Sequence, residues 1–235
     1  MFKISIDNIL DKYLPTVFKP FKDIVWFLIL FVFFDFVWKL LVDMGENGEM
    51  LIVLGKDITS WTYGICLFTA KIVHWLIHSV LGYSDFVRDG ITLYFDREDH
   101  IQINIIWDCT GIKQLIMFSF ILICYFGPLQ QKKRYIPLSL VILTLVNILR
   151  LVVVCLIVKD PFPEWFISVN EWYNDRIWEN DAESYSLFYE DWFHVFHRDI
   201  FTWIYYDGII LLLWLFWEER INKPFQRAKS LLLKS

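Results

Sequence analysis

Four long apolar runs, at about residues 24–41, 109–129, 135–158 and 200–217, constrain this chain more than any other feature. A bilayer-spanning helix needs roughly 20 mostly apolar residues, because every backbone N–H and C=O must find its partner within the segment. The first run is too long and aromatic for a cleavable signal and has no small-residue cleavage site after it, so it is expected to stay as an anchor. The chain is 57% hydrophobic and yet 21% charged, where soluble domains run nearer 45–50% apolar. The charges must therefore be segregated from the runs.

Segregation follows the positive-inside rule. Lys3, Lys12, Lys19 and Lys22 precede the first run, Lys132, Lys133 and Arg134 separate the second from the third, and Arg220, Lys223, Arg227, Lys229 and Lys234 follow the fourth. Four crossings put all three groups in the cytoplasm and turn two acid-rich regions, 42–108 and 159–199, outward. This requires that a fifth apolar segment, 57–83, does not cross. Its polar residues Asp57, Ser60, Lys71, His74 and His78 are spaced by three, four or their sums, which makes one polar stripe on an interfacial helix.

Residues 91–95 and 101–107 alternate with a period of two around the polar turn 96–100, the pattern of a β-hairpin with one apolar face. The expected fold is thus an all-α polytopic membrane protein. It has about four transmembrane helices, an interfacial amphipathic helix and a small outward-facing β-hairpin. Residues 1–235 read as a single integral membrane domain, with a cytoplasmic segment at 1–22, outer regions at 42–108 and 159–199, and a cytoplasmic basic tail at 218–235. The 159–199 connector interleaves acids with Trp165, Trp172, Tyr173, Trp178, Tyr185, Tyr189 and Trp192, as a segment at headgroup depth would. The lipid bilayer is the first partner implied. A net charge of −5 argues against a nucleic-acid partner.

Ionisable groups within spans are costly and mark function by default. Arg150, after Asn147 in the third run, lies some eight residues before the run's outer end. It faces a polar cavity or an anion, or else it is a structural residue bonded to carbonyls, to Asp35 or to Asp207. Asp35 and Lys39, four apart, are expected to pair with each other. Among Cys66, Cys109, Cys124 and Cys155 no disulfide or metal spacing appears. Cys109 differs from the rest in standing at a strand-to-helix junction, where a helix N-terminus favours the thiolate; the others read as packing residues. His194 and His197 precede the last run at its outer end and are candidate bases. As a His-x-x-His pair they lack a third ligand of convincing spacing, so neither a metal nor another cofactor is expected. His74 and His78 read as the polar face of the amphipathic helix. Cys109 as nucleophile, a histidine as base and Arg150 as oxyanion stabiliser form a chemically complete set for acyl transfer.

Cys109–Thr110–Gly111 at the mouth of one span, Asn147-x-x-Arg150 within the next and a histidine opening the last resemble the exosortase/archaeosortase family over roughly residues 90–217. The short chain resembles the compact members of Bacteroidetes-like bacteria, while the long acidic connector departs from the pattern. The resemblance implies a cysteine-type peptidase or transpeptidase of the bacterial inner membrane, its active site facing the periplasm. Such an enzyme cleaves the C-terminal sorting signal of exported proteins through a thioester, and an exported protein carrying that transmembrane signal is the implied partner. It assigns Cys109 as nucleophile, Arg150 as the arginine, and His197 as the histidine ahead of His194, with Asn147, Thr110 and Gly111 in support. The alternative is a non-enzymatic membrane scaffold whose outer connector binds a partner. A transporter is disfavoured because no pair of Gly/Pro-broken helices is present.

Overall fold

The structure, a computed structural model, describes residues 21–44, 50–97, 101–159, 164, 168 and 207–232. It is mostly helical with two small antiparallel sheets. Helix α1 (Lys22–Leu41) has 20 residues, about 30 Å at 1.5 Å per residue, the thickness of a hydrocarbon core. Asp23 in its first turn and Lys39 in its last oppose the helix dipole. A three-stranded sheet of short strands follows, β1 (Val42–Asp43), β2 (Ile52–Val53) and β3 (Lys56–Asp57). Helix α2 runs from Thr59 to Trp75 and continues as one π-helical stretch to Val80.

A second sheet contains β4 (Phe86–Asp89), β5 (Thr92–Phe95) and β6 (Ile103–Asn104), in that order. A 3₁₀ turn, Trp107–Thr110, leads into α3 (Ile112–Cys124), and after a break comes α4 (Leu129–Ile157). Helix α5 (Gly208–Trp217) passes through a π-helical stretch into α6 (Lys223–Leu232). Three helical segments are long and apolar enough to cross a membrane, Lys22–Leu41, Thr59–Val80 and Leu129–Ile157, and Ile112–Cys124 is a shorter apolar one.

Two cores organise these elements. One joins α1, α3, α4 and α5 through Phe27, Phe118, Leu122, Leu143, Trp214 and Trp217. In lipid such contacts rest on packing rather than on transfer from water; Phe27 stacks on Trp214 at 4.5 Å between centroids, and Tyr125 meets the same indole edge-on. The bundle alternates in direction. At one end the start of α1, the end of α3, the start of α4 and the end of α5 are tied by Tyr125 Oη to Asp23 O (3.4 Å), Trp217 Nε1 to Phe126 O (3.0 Å) and Tyr135 Oη to Leu213 O (2.7 Å). Lys22, Lys133, Arg134 and Arg220 therefore share that end. At the other end Lys113 of α3 pairs with Asp35 of α1 at 2.9 Å.

The other core joins α2, the second sheet and the last turns of α4 through Ala70, Val73, Ile77, Phe86, Leu93, Ile105, Leu151 and Cys155. No buried residue of α2 belongs to the four-helix core. Helix α2, which the sequence reading lays in the interface, is with its π-helical extension long and apolar enough to cross, and it packs against the sheet and the far part of α4. Trp61, Phe68 and Trp75, seven residues apart, line its exposed face. The polar stripe has a different use from mere solvation. Asp57 stands before the helix and accepts the Thr59 N–H at 2.8 Å, while His74 Nε2 bonds Phe86 O at 3.1 Å and its ring stacks on His78. The pair fastens α2 to β4.

Three local features differ from the sequence expectation. The expected hairpin gains a third strand, β4, whose Phe86 packs on Phe95 at 4.8 Å, and its expected strand 101–107 shortens to Ile103–Asn104. The second apolar run does not form one helix from Cys109. It yields the 3₁₀ turn and then only 13 helical residues, ending where Tyr125 turns extended; Gly127, at φ +130°, then passes where any Cβ would lie 2.5 Å from Trp217. The basic connector is helical, and Lys132 is buried, its Nζ donating to Ile123 O at 3.0 Å and to Tyr125 O. There it satisfies carbonyls at the end of α3.

Candidate functional site

The 3₁₀ turn that carries Cys109 is built from its neighbours. Trp107, 1% exposed, anchors it in the core. Thr110 Oγ1 donates back to Trp107 O at 2.6 Å, and the Cys109 N–H donates to Ile106 O at 3.0 Å. Gly111 closes the turn at φ +73° and is also the N-cap of α3. A left-handed residue costs little only as glycine. A Cβ there would also lie 3.4 Å from Asn147 Cγ. Within the Cys-Thr-Gly motif, threonine thus locks the turn and glycine permits both its exit and the approach of α4.

Asn147 and Arg150 lie three residues apart on α4, 2% and 4% exposed. Asn147 Nδ2 donates to the backbone carbonyl of Cys109 at 2.9 Å, and Arg150 Nη2 donates to the same oxygen at 3.2 Å. The three residues singled out from two distant motifs therefore meet. One carbonyl that Arg150 bonds is thus the cysteine's own. Asp35 is engaged with Lys39 at 2.7 Å and Lys113 at 2.9 Å.

The thiol lies two residues ahead of the N-cap, with Sγ 3.9 Å from Asn104 O. Arg150 is the leading charge that favours its thiolate. Burial pushes the Cys109 thiol up, Arg150 pulls it down, and Asp108 adds to the rise; the net direction is up. Asp108, exposed on the turn, is itself shifted up because its carboxylate is poorly hydrated there, against the pull of Arg150 and Lys113. A thiol held neutral in this way needs a base before it can attack. Both candidate bases, His194 and His197, lie outside the described residues, as do residues 200–206 and almost all of the 159–199 connector.

Sequence reasoning missed Asp108, Lys113 and Asn104. Lys113 was detectable by the logic that found Arg150, as a charge within an apolar run four residues after Cys109. Asn104 carried no signal, because its part depends on strand order. Cys66 and Cys155 are packed as expected, while Cys124 stands on an exposed face. Among the described residues no group of three or more His, Cys, Asp or Glu is placed to hold a metal ion.

A family model described as transmembrane exosortase matches residues 24–169, a stretch that contains Cys109, Asn147 and Arg150. No curated protein and no solved structure matches the chain.

Proposed function

The chain belongs to the transmembrane exosortase family, and from that premise we propose that it is a cysteine-type peptidase or transpeptidase of the bacterial inner membrane, its site facing the periplasm. Its substrate is an exported protein with a C-terminal transmembrane sorting signal. The observation that carries this reading is the shared carbonyl: Asn147 and Arg150 converge on the backbone oxygen of Cys109.

In the proposed reaction His197, or His194 in its stead, takes the Cys109 proton, and the thiolate attacks the scissile carbonyl to form a C–S bond. Arg150, permanently charged, steadies the oxyanion. Collapse breaks the C–N bond, the histidine returns its proton to the leaving amine, and the thioester passes to water, an amine or a glycolipid. Asn147, Thr110 and Gly111 position the nucleophile, and the whole chain acts as one membrane domain.

The test is co-expression with a tail-anchored exported protein. Cys109→Ala is expected to abolish its processing while the chain accumulates normally. Equal processing by wild type and Cys109→Ala would instead favour a scaffold that binds a partner through its outer connector. His194→Ala and His197→Ala identify the base: loss in the second alone supports His197.

A further inference from the structure

Strand β6 is the outer member of its sheet, paired with β5 on one side and, among the described residues, with no strand on the other. The alternation of an antiparallel ladder fixes which groups face that open edge. The Ile105 N–H donates to Ile91 O at 3.0 Å, so Ile105 and, two residues back, Ile103 point toward β5. Asn104, between them, turns its backbone N–H and C=O the other way. Two observations agree. Thr92 Oγ1 reaches Asn104 Oδ1 at 2.7 Å, the close side-chain contact of a non-hydrogen-bonded pair. The Asn104 carbonyl, directed away from β5, accepts the Ile106 N–H at 3.1 Å and has Cys109 Sγ 3.9 Å away.

The Cys109 thiol therefore lies beside a strand edge that no described strand pairs. We propose that this edge, at Asn104, binds the extended segment of the substrate that carries the scissile bond, as an added β-strand lying alongside Cys109. The proposal rests on Cys109 being the nucleophile. An edge strand offers an N–H and a C=O spaced to match another backbone, which is the chemistry of an extended polypeptide and of no small polar ligand. Deprotonation of the thiol removes one of the two donors at the Asn104 carbonyl, the Ile106 N–H remaining, and so opens that oxygen's second acceptor position to a substrate N–H as attack begins. Asn104 is exposed and the strand is short. The edge therefore contributes register more than affinity, and the substrate's tail helix in the bilayer supplies the rest of the binding.

The test uses the full chain in nanodiscs and two thiol reagents, with the rate of Cys109 modification followed by mass spectrometry. Iodoacetamide has little backbone to pair; the thiolate attacks its CH2 carbon, and the C–S bond forms as iodide leaves into solvent. N-acetyl-tetra-alanyl vinyl sulfone adds the thiolate across its C=C bond, the neighbouring carbon taking a proton from water. Asn104→Pro removes only the outward N–H from the backbone and suits an edge strand; Asn104→Ala removes the side chain and keeps that N–H. The ratio of peptide rate to iodoacetamide rate is expected to fall about tenfold in Asn104→Pro, the scale of one lost backbone hydrogen bond, and to hold in Asn104→Ala. Backbone N-methylation of the peptide should produce the same fall on wild-type protein, which needs no folded variant. A ratio unaffected by both N-methylation and Asn104→Pro overturns the strand proposal and leaves the nucleophile untouched. Failure of both reagents to modify Cys109 in the folded protein overturns the nucleophile reading itself.

Discussion

Asn147 Nδ2 donates to the carbonyl of Cys109 at 2.9 Å across a separation of 38 residues, so the turn that presents the thiol is fixed from outside by a buried amide of α4. Arg150 adds a second donor to the same oxygen at 3.2 Å. A backbone carbonyl held by two side chains is fixed in orientation, and the backbone from which the thiol projects is fixed with it.

Replacing the amide separates donation from bulk. Asn147→Ala removes one donor and should lower processing and thermal stability, at a cost of about 1–3 kcal/mol for disturbing a buried polar contact. Asn147→Asp should be worse, since it turns a carboxylate oxygen toward the Cys109 carbonyl. Thermal denaturation in detergent, read beside the processing assay, gives the ranking.

The charges around the thiol predict pH profiles of opposite sign. Arg150 lowers and Asp108 raises the thiol's proton affinity. The pH midpoint of Cys109 alkylation should therefore move up in Arg150→Met, stay nearer wild type in Arg150→Lys, and move down in Asp108→Asn. Because the folded state holds this thiol above its ordinary range, keeping it protonated contributes stability that is complete below the unfolded thiol's value. That contribution is lost as pH rises through the folded one. The alkaline fall in melting temperature should be shallower in Cys109→Ala.

Two glycines give a paired test. Gly111→Ala meets both a left-handed φ of +73° and Asn147 Cγ at 3.4 Å, and should cost at least about 1–2 kcal/mol while reducing activity. Gly64, within α2, has nothing within 4 Å of a built Cβ. Gly64→Ala should gain about 0.5–1 kcal/mol from helix propensity with processing unchanged. Melting temperatures moving in opposite directions are the expected result.

The Asp35–Lys113 pair at 2.9 Å links α1 to the start of α3. Asp35→Leu should reduce folded yield by leaving Lys113 without its carboxylate among the spans, where an uncompensated charge is expensive. Exchange of the two residues, Asp35→Lys with Lys113→Asp, should recover most of that yield, as measured by size-exclusion chromatography.

Thiol labelling of intact cells tests the orientation. With native cysteines replaced, a cysteine at Asp89 should react with an impermeant reagent added outside, and one at Lys133 should not. Lys133 is the informative site because neighbouring Lys132 is buried against the end of α3.

Periodicity and charge alone determined much of this protein. Long apolar runs with basic groups between them dictated a helical membrane bundle, because backbone satisfaction in lipid leaves few alternatives. The short motifs marked Cys109, Asn147 and Arg150, since a cation within a span is costly without a purpose and a helix N-terminus favours a thiolate. Tertiary structure decided the rest. That Arg150 and Asn147 share the Cys109 carbonyl, that Lys132 closes α3, and that β4 joins the hairpin all depend on contacts between distant segments. The edge of β6 beside the thiol belongs to the same class: strand order decides which backbone groups stay open, and no local pattern of side chains encodes it.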